Sequence, residues 1–123
     1  MSEGKINSYR DLKVWQQAMD LAESCYALTG DFPKSEMFGM VSQLRRAAVS
    51  VAANIAEGHG RETPALFVQF LRVAQGSLKE AETHLLLCQR VGLGNALQLS
   101  SALSKCEEIG KMLRSLIRAI QEK

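Results

Sequence analysis

Apolar residues recur at helical spacing along almost the whole chain. The most informative stretch is the second segment, where Met37, Val41, Leu44, Ala48, Val51 and Ile55 are spaced four, three, four, three, four. Residues so spaced lie on one face of a helix and face a core. A second stripe, Gln43, Arg46, Ser50, Asn54 and Glu57, lies about 150° round the same helix. A solvated face would be mostly Lys and Glu. This one is short, polar and flanked by Ala47 and Ala53. It suits close packing with hydrogen bonds, either as a second partly buried side of a bundle helix or as a subunit interface. The pattern predicts a helix over 35–57, with Ser35 as its N-cap, Glu36 on its positive end and Gly58 as the left-handed residue that stops it.

Three more helices follow from the same reasoning. The first is expected over 9–29, opened by a capping box of Ser8 and Asp11. It carries two adjacent apolar stripes, Leu12, Trp15, Met19, Ala22, Tyr26 and Val14, Ala18, Leu21, Cys25, Leu28, as suits a helix touching two neighbours. Gly30-Asp31-Phe32-Pro33 breaks it, because proline cannot continue a helix and holds the preceding residue extended. Thr63-Pro64 marks the start of a third helix over 64–91, a capping residue followed by proline at the first helical position. Its seam, Phe67, Leu71, Ala74, Leu78, Ala81, Leu85 and Cys88, alternates four and three throughout. Gly76 interrupts this helix at up to about 1 kcal/mol relative to alanine, either to admit a neighbouring helix or as a tolerated glycine. Gly92 is its expected left-handed cap with Leu93 as the apolar partner. Asn95, with Gln98 three later, opens a fourth helix over 96–121, seamed by Leu99, Leu103, Cys106, Gly110, Leu113, Ile117 and Ile120. The chain is expected to close on solvated, frayed residues including Arg118, Glu122 and Lys123. Four such helices on short loops predict an all-α, up-down-up-down antiparallel four-helix bundle, a single domain over 1–123 with helices of roughly 30–40 Å.

Composition narrows the function more than the fold. A net charge of +2 is small for a nucleic-acid binder, though a local patch acts regardless of the total. No apolar run approaches the ~20 residues of a membrane span, and the leading MSEGKINSYR lacks the apolar core of a signal peptide. The expected location is the cytoplasm, with no membrane partner. Cys25, Cys88 and Cys106 are odd in number, far apart and on apolar helical positions, so packed reduced thiols are expected rather than disulfides or a zinc site.

The catalytic inventory is thin. His59 lies between two glycines and His84 follows Glu80 by four. Neither belongs to a metal-ligand spacing, and no Glu-x-x-His of the di-iron bundles occurs. No metal or cofactor is expected. Glu57, His59 and Arg61 lie close in sequence, but nothing supplies a nucleophile, so the chain reads as a non-enzyme. Two basic groupings remain. Arg45, Arg46 and Arg61 surround the second helix and its exit, where Glu80 and Glu82 of the third helix are expected partners. Lys111, Arg114 and Arg118 share a face of the fourth helix. Each grouping is either structural, through salt bridges or the helix dipole, or a surface for RNA phosphates.

The residues also carry a resemblance. Tyr9-Arg-Asp-Leu-Lys-Val-Trp15, Phe32-Pro33 with Glu36 and Phe38-Gly39, Gln43-Leu-Arg-Arg46, Ser50, Asn54-Ile-Ala-Glu-Gly58, Gly60-Arg61, Phe70-Leu71, Ala74, Gly76-Ser77, Glu80 and Glu82 resemble the bacterial four-helix-bundle family called intervening-sequence proteins. That family is named for insertions within large-subunit ribosomal RNA genes. The resemblance implies a bundle assembling into a ring-like homo-oligomer, a pentamer, with the Gln43-to-Glu57 stripe used for packing or assembly. The accessory protein of diversity-generating retroelements is more distantly similar, and it binds a reverse transcriptase and nucleic acid through a basic surface. Two functions are therefore expected as alternatives. One is a homo-oligomeric bundle that binds RNA or a nucleic-acid-handling protein through Arg45, Arg46, Arg61, Lys111, Arg114 and Arg118. The other is a protein–protein interaction scaffold with no nucleic-acid binding.

Overall fold

The structure, a computed structural model, describes residues 7–122. The expected frayed Lys123 and most of the leading segment lie outside the described residues. Four α-helices follow in order: α1 (Lys13–Thr29), α2 (Ser42–His59), α3 (Pro64–Val91) and α4 (Ala96–Gln121). Each packs on its neighbours in sequence and α4 returns to α1, closing an antiparallel bundle of the expected up-down-up-down kind. Among the described residues there is no strand, and no helix is long and apolar enough to cross a membrane. The helices are unequal. α3 and α4 have 28 and 26 residues, about 40 Å each. α1 and α2 have 17 and 18, only about 26 Å, and fall short of the expected range.

The predicted seams form the core. Leu71, Ala74, Leu78, Ala81, Leu85 and Cys88 of α3 are buried, as are Val41, Leu44, Ala48, Val51 and Ile55 before and along α2. The caps act locally. Thr63 Oγ1 accepts from the Leu66 amide, and Asn95 Oδ1 accepts from the Gln98 amide. Gly92 at φ 71° takes the left-handed conformation, and the Leu93 amide donates back to the Cys88 carbonyl at 2.9 Å. This closes α3 as the glycine cap requires.

Several expectations are corrected. The Ser8–Asp11 capping box exists, but it caps a 3-10 turn over Tyr9–Asp11, and α1 starts only at Lys13. α2 does not run from Ser35. A 3-10 turn over Lys34–Glu36 and a π-helical turn over Met37–Val41 precede it, and Ser35 caps nothing. Gly39, at φ −109° and ψ −107°, is non-helical and kinks the chain there. Met37 therefore leaves the apolar stripe and is 52% exposed. α2 also runs one residue past Gly58, through His59, and is closed by Gly60 in a right-handed conformation. Gly58 is buried, because Phe67 and Phe70 of α3 cross directly over it.

The two apolar stripes of α1 part company. Val14, Ala18, Leu21, Cys25 and Leu28 are buried. Of the other stripe only Ala22 is buried. Met19 and Tyr26 remain 40% and 50% exposed and form, with Val49 of α2, an open apolar groove of about 350 Å³ between the two helices. Gly76 is exposed with nothing within 4 Å of where its side chain would lie, so it admits no helix within this chain.

Candidate nucleic-acid interface

The predicted basic groupings are redistributed by the packing. Arg45 and Arg46 are neighbours in sequence, so their side chains leave α2 about 100° apart. Arg45 faces α1. Its Nε donates to Thr29 Oγ1 at 2.9 Å and its guanidinium lies 4.3 Å from the centre of the Tyr26 ring. The Thr29 hydroxyl in turn donates to the Cys25 carbonyl. Arg45 thus completes the hydrogen bonding of a buried threonine. Arg46 is exposed and in no ion pair among the described residues. Arg61 stands beyond the far end of α2, its guanidinium 5.0 Å from the centre of the Phe70 ring. The expected pairing with Glu80 and Glu82 does not form. Glu82 pairs with Lys79 at 3.2 Å, and Glu80 lies 3.6 Å from His84 Nε2, both within α3. These differences are measurable. Arg45→Met should destabilise the protein by about 1–3 kcal/mol, the range for removing one hydrogen-bond partner of a buried polar group. Arg46→Met should change stability by less than about 0.5 kcal/mol. Equal effects in urea denaturation would contradict this assignment.

The polar stripe of α2 is divided too. Ser50 Oγ meets Ser77 Oγ of α3 at 2.8 Å, and Asn54 Nδ2 donates to the Ser50 carbonyl and hydroxyl at 2.8 and 3.0 Å. The centre of the stripe thus forms a polar contact between α2 and α3 inside the chain. Gln43, Arg46 and Glu57 at its ends are exposed.

A different basic site is assembled between α3 and α4. Arg114, Arg118 and Gln121 follow one another at i, i+4 and i+7 on α4, and Arg72 and Gln75 at i and i+3 on α3. Antiparallel packing brings these stripes together around a cleft of about 210 Å³. The Arg114 guanidinium lies back toward buried Gly110, where an added side-chain carbon would be 3.6 Å from Nη1. None of the three arginines is in an ion pair among the described residues. Guanidinium is charged at any physiological pH and hydrogen-bonds phosphate oxygens in pairs. Lys111, expected on this surface, is instead 3.7 Å from Glu108, with both side chains exposed. Arg72 was not singled out from the sequence. Its signal is its i, i+3 relation to Gln75, which acquires meaning only when α4 is laid beside α3.

The groove continues from this cleft toward the end of the bundle. Gln121 also borders a depression lined by Pro64, Ala65, Val68 and Ile120. Pro64 and Ile120 in turn border a cleft of about 390 Å³ with His59, Glu62, Thr63 and Phe67. The His59 ring stands edge-on to Phe67, with centroids 5.7 Å apart. Glu62 holds a left-handed backbone at φ 68°, uncommon for a residue with a side chain. Of the Glu57, His59 and Arg61 set, only His59 lines this cleft, while Glu57 is exposed and Arg61 faces Phe70.

Comparison with known proteins places this architecture. No curated protein matches the sequence. A solved structure does: a protein of unknown function from the S23 ribosomal protein family of Bacteroides thetaiotaomicron VPI-5482. It superposes with a TM-score of 0.75 at 27% identity, covering 85% of this chain and 97% of that one. The pattern of 23S rRNA-intervening sequence proteins matches residues 10–115, and the chain belongs to that family.

Proposed function

We propose that this protein is a non-catalytic, homo-oligomeric RNA-binding bundle of the cytoplasm, and that its RNA contact is the groove between α3 and α4. The observation that carries this reading is the convergence of Arg72, Arg114 and Arg118 on one cleft without a carboxylate partner among the described residues. Three unneutralised guanidinia repel one another, and a polyphosphate removes that repulsion while releasing its own counterions. Assembly into a five-membered ring, as the family resemblance implies, would repeat the groove around one particle and multiply its field. The apolar groove of Met19, Tyr26 and Val49 is the surface we assign to that self-contact, because exposed apolar side chains grouped together mark association sites.

RNA affinity measured across salt concentrations tests the reading. The Arg72→Gln/Arg114→Gln/Arg118→Gln variant should bind more weakly, and the slope of log affinity against log salt should shrink by about 2. Arg45→Gln should leave the slope unchanged. If the native protein binds no RNA at low salt, the reading fails, and the apolar groove favours the alternative of a protein–protein scaffold. Light-scattering mass on size-exclusion chromatography tests assembly, with a mass near five subunits expected and a monomer excluding the ring.

A further inference from the structure

The α3/α4 groove changes character along its length. At the arginine end it is cationic. At the bundle end it is lined by Phe67 and Ile120, with the edge-on His59 ring beside Phe67, and by exposed Glu62 and Thr63. A phosphate suits the first part and not the second, where Glu62 repels it. What suits the second is a flat, neutral group with an apolar face and hydrogen-bond donors on its edge, since an ionised carboxylate only accepts. A volume of about 390 Å³ lies in the small-ligand range of roughly 300–1,000 Å³. Gly58 also borders this cleft, with Phe67 packed closely over its backbone.

The two parts are close enough for one short strand. Phe67 and Arg72 are five residues apart on α3, a rise of about 7.5 Å, and Ile120 and Arg114 six apart on α4, about 9 Å. Resting on the RNA-binding reading above, we propose that the groove takes single-stranded RNA, with phosphates on Arg72, Arg114 and Arg118 and one unstacked base in the cleft at His59, Glu62 and Phe67. Aromatic contact with an apolar base face supplies binding without sequence preference. Glu62 adds a preference for guanine, whose N1–H and exocyclic amine donate to both carboxylate oxygens at once, while adenine and cytosine offer only the amine and uracil only its N3–H. A duplex is excluded, as its bases are paired and stacked and their faces do not reach the cleft.

Fluorescence anisotropy at fixed low salt, with labelled oligonucleotides of about twelve residues, tests this. Oligo(U) carrying spaced guanines should bind roughly five- to tenfold more tightly than oligo(U) or oligo(C), and an RNA duplex of equal length more weakly than any of them. Glu62→Gly keeps the left-handed backbone without strain, so it should fold normally. It should reduce the preference for guanine to within about twofold. Arg72→Gln/Arg114→Gln/Arg118→Gln should weaken all three strands alike. Equal binding of the guanine-containing and plain strands, duplex binding as tight as single-strand binding, or an unchanged preference in Glu62→Gly would each overturn the base site while leaving the RNA reading standing. Absence of binding to every oligonucleotide would overturn both.

Discussion

Gly58→Ala should lower the melting temperature by about 3–10 °C, against the usual rule that replacing a helical glycine with alanine stabilises. A side-chain carbon at Gly58 would lie 2.6 Å from the Phe70 Cβ, 3.1 Å from Phe67 Cδ1 and 3.2 Å from the Phe67 carbonyl oxygen. The nearest of these is a Cβ bound to the α3 backbone, and rotation of the Phe70 ring does not move it. α2 and α3 must therefore separate at this end. Overpacking of this kind costs about 1–3 kcal/mol, and the gain in helix propensity offsets at most about 1. Larger residues should do more harm, with Gly58→Val lower than Gly58→Ala. Thermal unfolding followed by circular dichroism decides the matter, and an alanine variant as stable as the native protein would show that the helices yield at no cost. The site borders the bundle-end cleft, so the same change should also narrow it.

Raising the pH above about 9 should remove several kcal/mol of stability. Burial pushes the thiols of Cys25 and Cys106 up from 9.0 to about 12. Cys88 raises Cys25 further, Cys25 and Glu82 raise Cys106, and Lys105 and Lys79 oppose the shifts only in part. Burial raises Cys88 in the same direction. In the unfolded chain these thiols ionise near pH 9, whereas in the native protein they stay protonated. Between those limits the native state binds more protons, so stability is complete below about pH 9 and falls as pH rises toward 12. Each thiol contributes about 1.4 kcal/mol per pH unit in that window, so two of them remove about 5 kcal/mol between pH 9 and 11. That is a large share of the roughly 5–15 kcal/mol that holds a domain together. Urea denaturation midpoints measured from pH 8 to 11 should fall steeply for the native sequence and less steeply for Cys25→Ala/Cys106→Ala. Parallel curves for the two proteins would rule out the thiols as the cause.

The sequence by itself determined the four helices, both caps of α3, the start of α4 and most of the buried faces. Leu71 through Cys88, Thr63, Asn95 and Gly92 act through neighbours one to seven residues away. Their signals are helical periodicity and backbone capping, and both are complete within a single element. The redox expectation rested on the same local pattern, and all three cysteines are free and buried. Only the tertiary structure decided the rest. Gly58 reads from sequence as a helix stop, and it becomes a contact point because Phe67 and Phe70 arrive from another helix. Gly39 reads as one residue among helical neighbours, yet its backbone angles break the helix there. Arg45 and Arg46 read as a pair, and packing directs Arg45 to Thr29 and leaves Arg46 exposed. Arg72 lies far in sequence from Arg114 and Arg118, and joins them only because α3 and α4 run antiparallel in one particular register. That register is set by the packing of the whole core and not by any short stretch, so charges on separate helices become one site only after the bundle has closed.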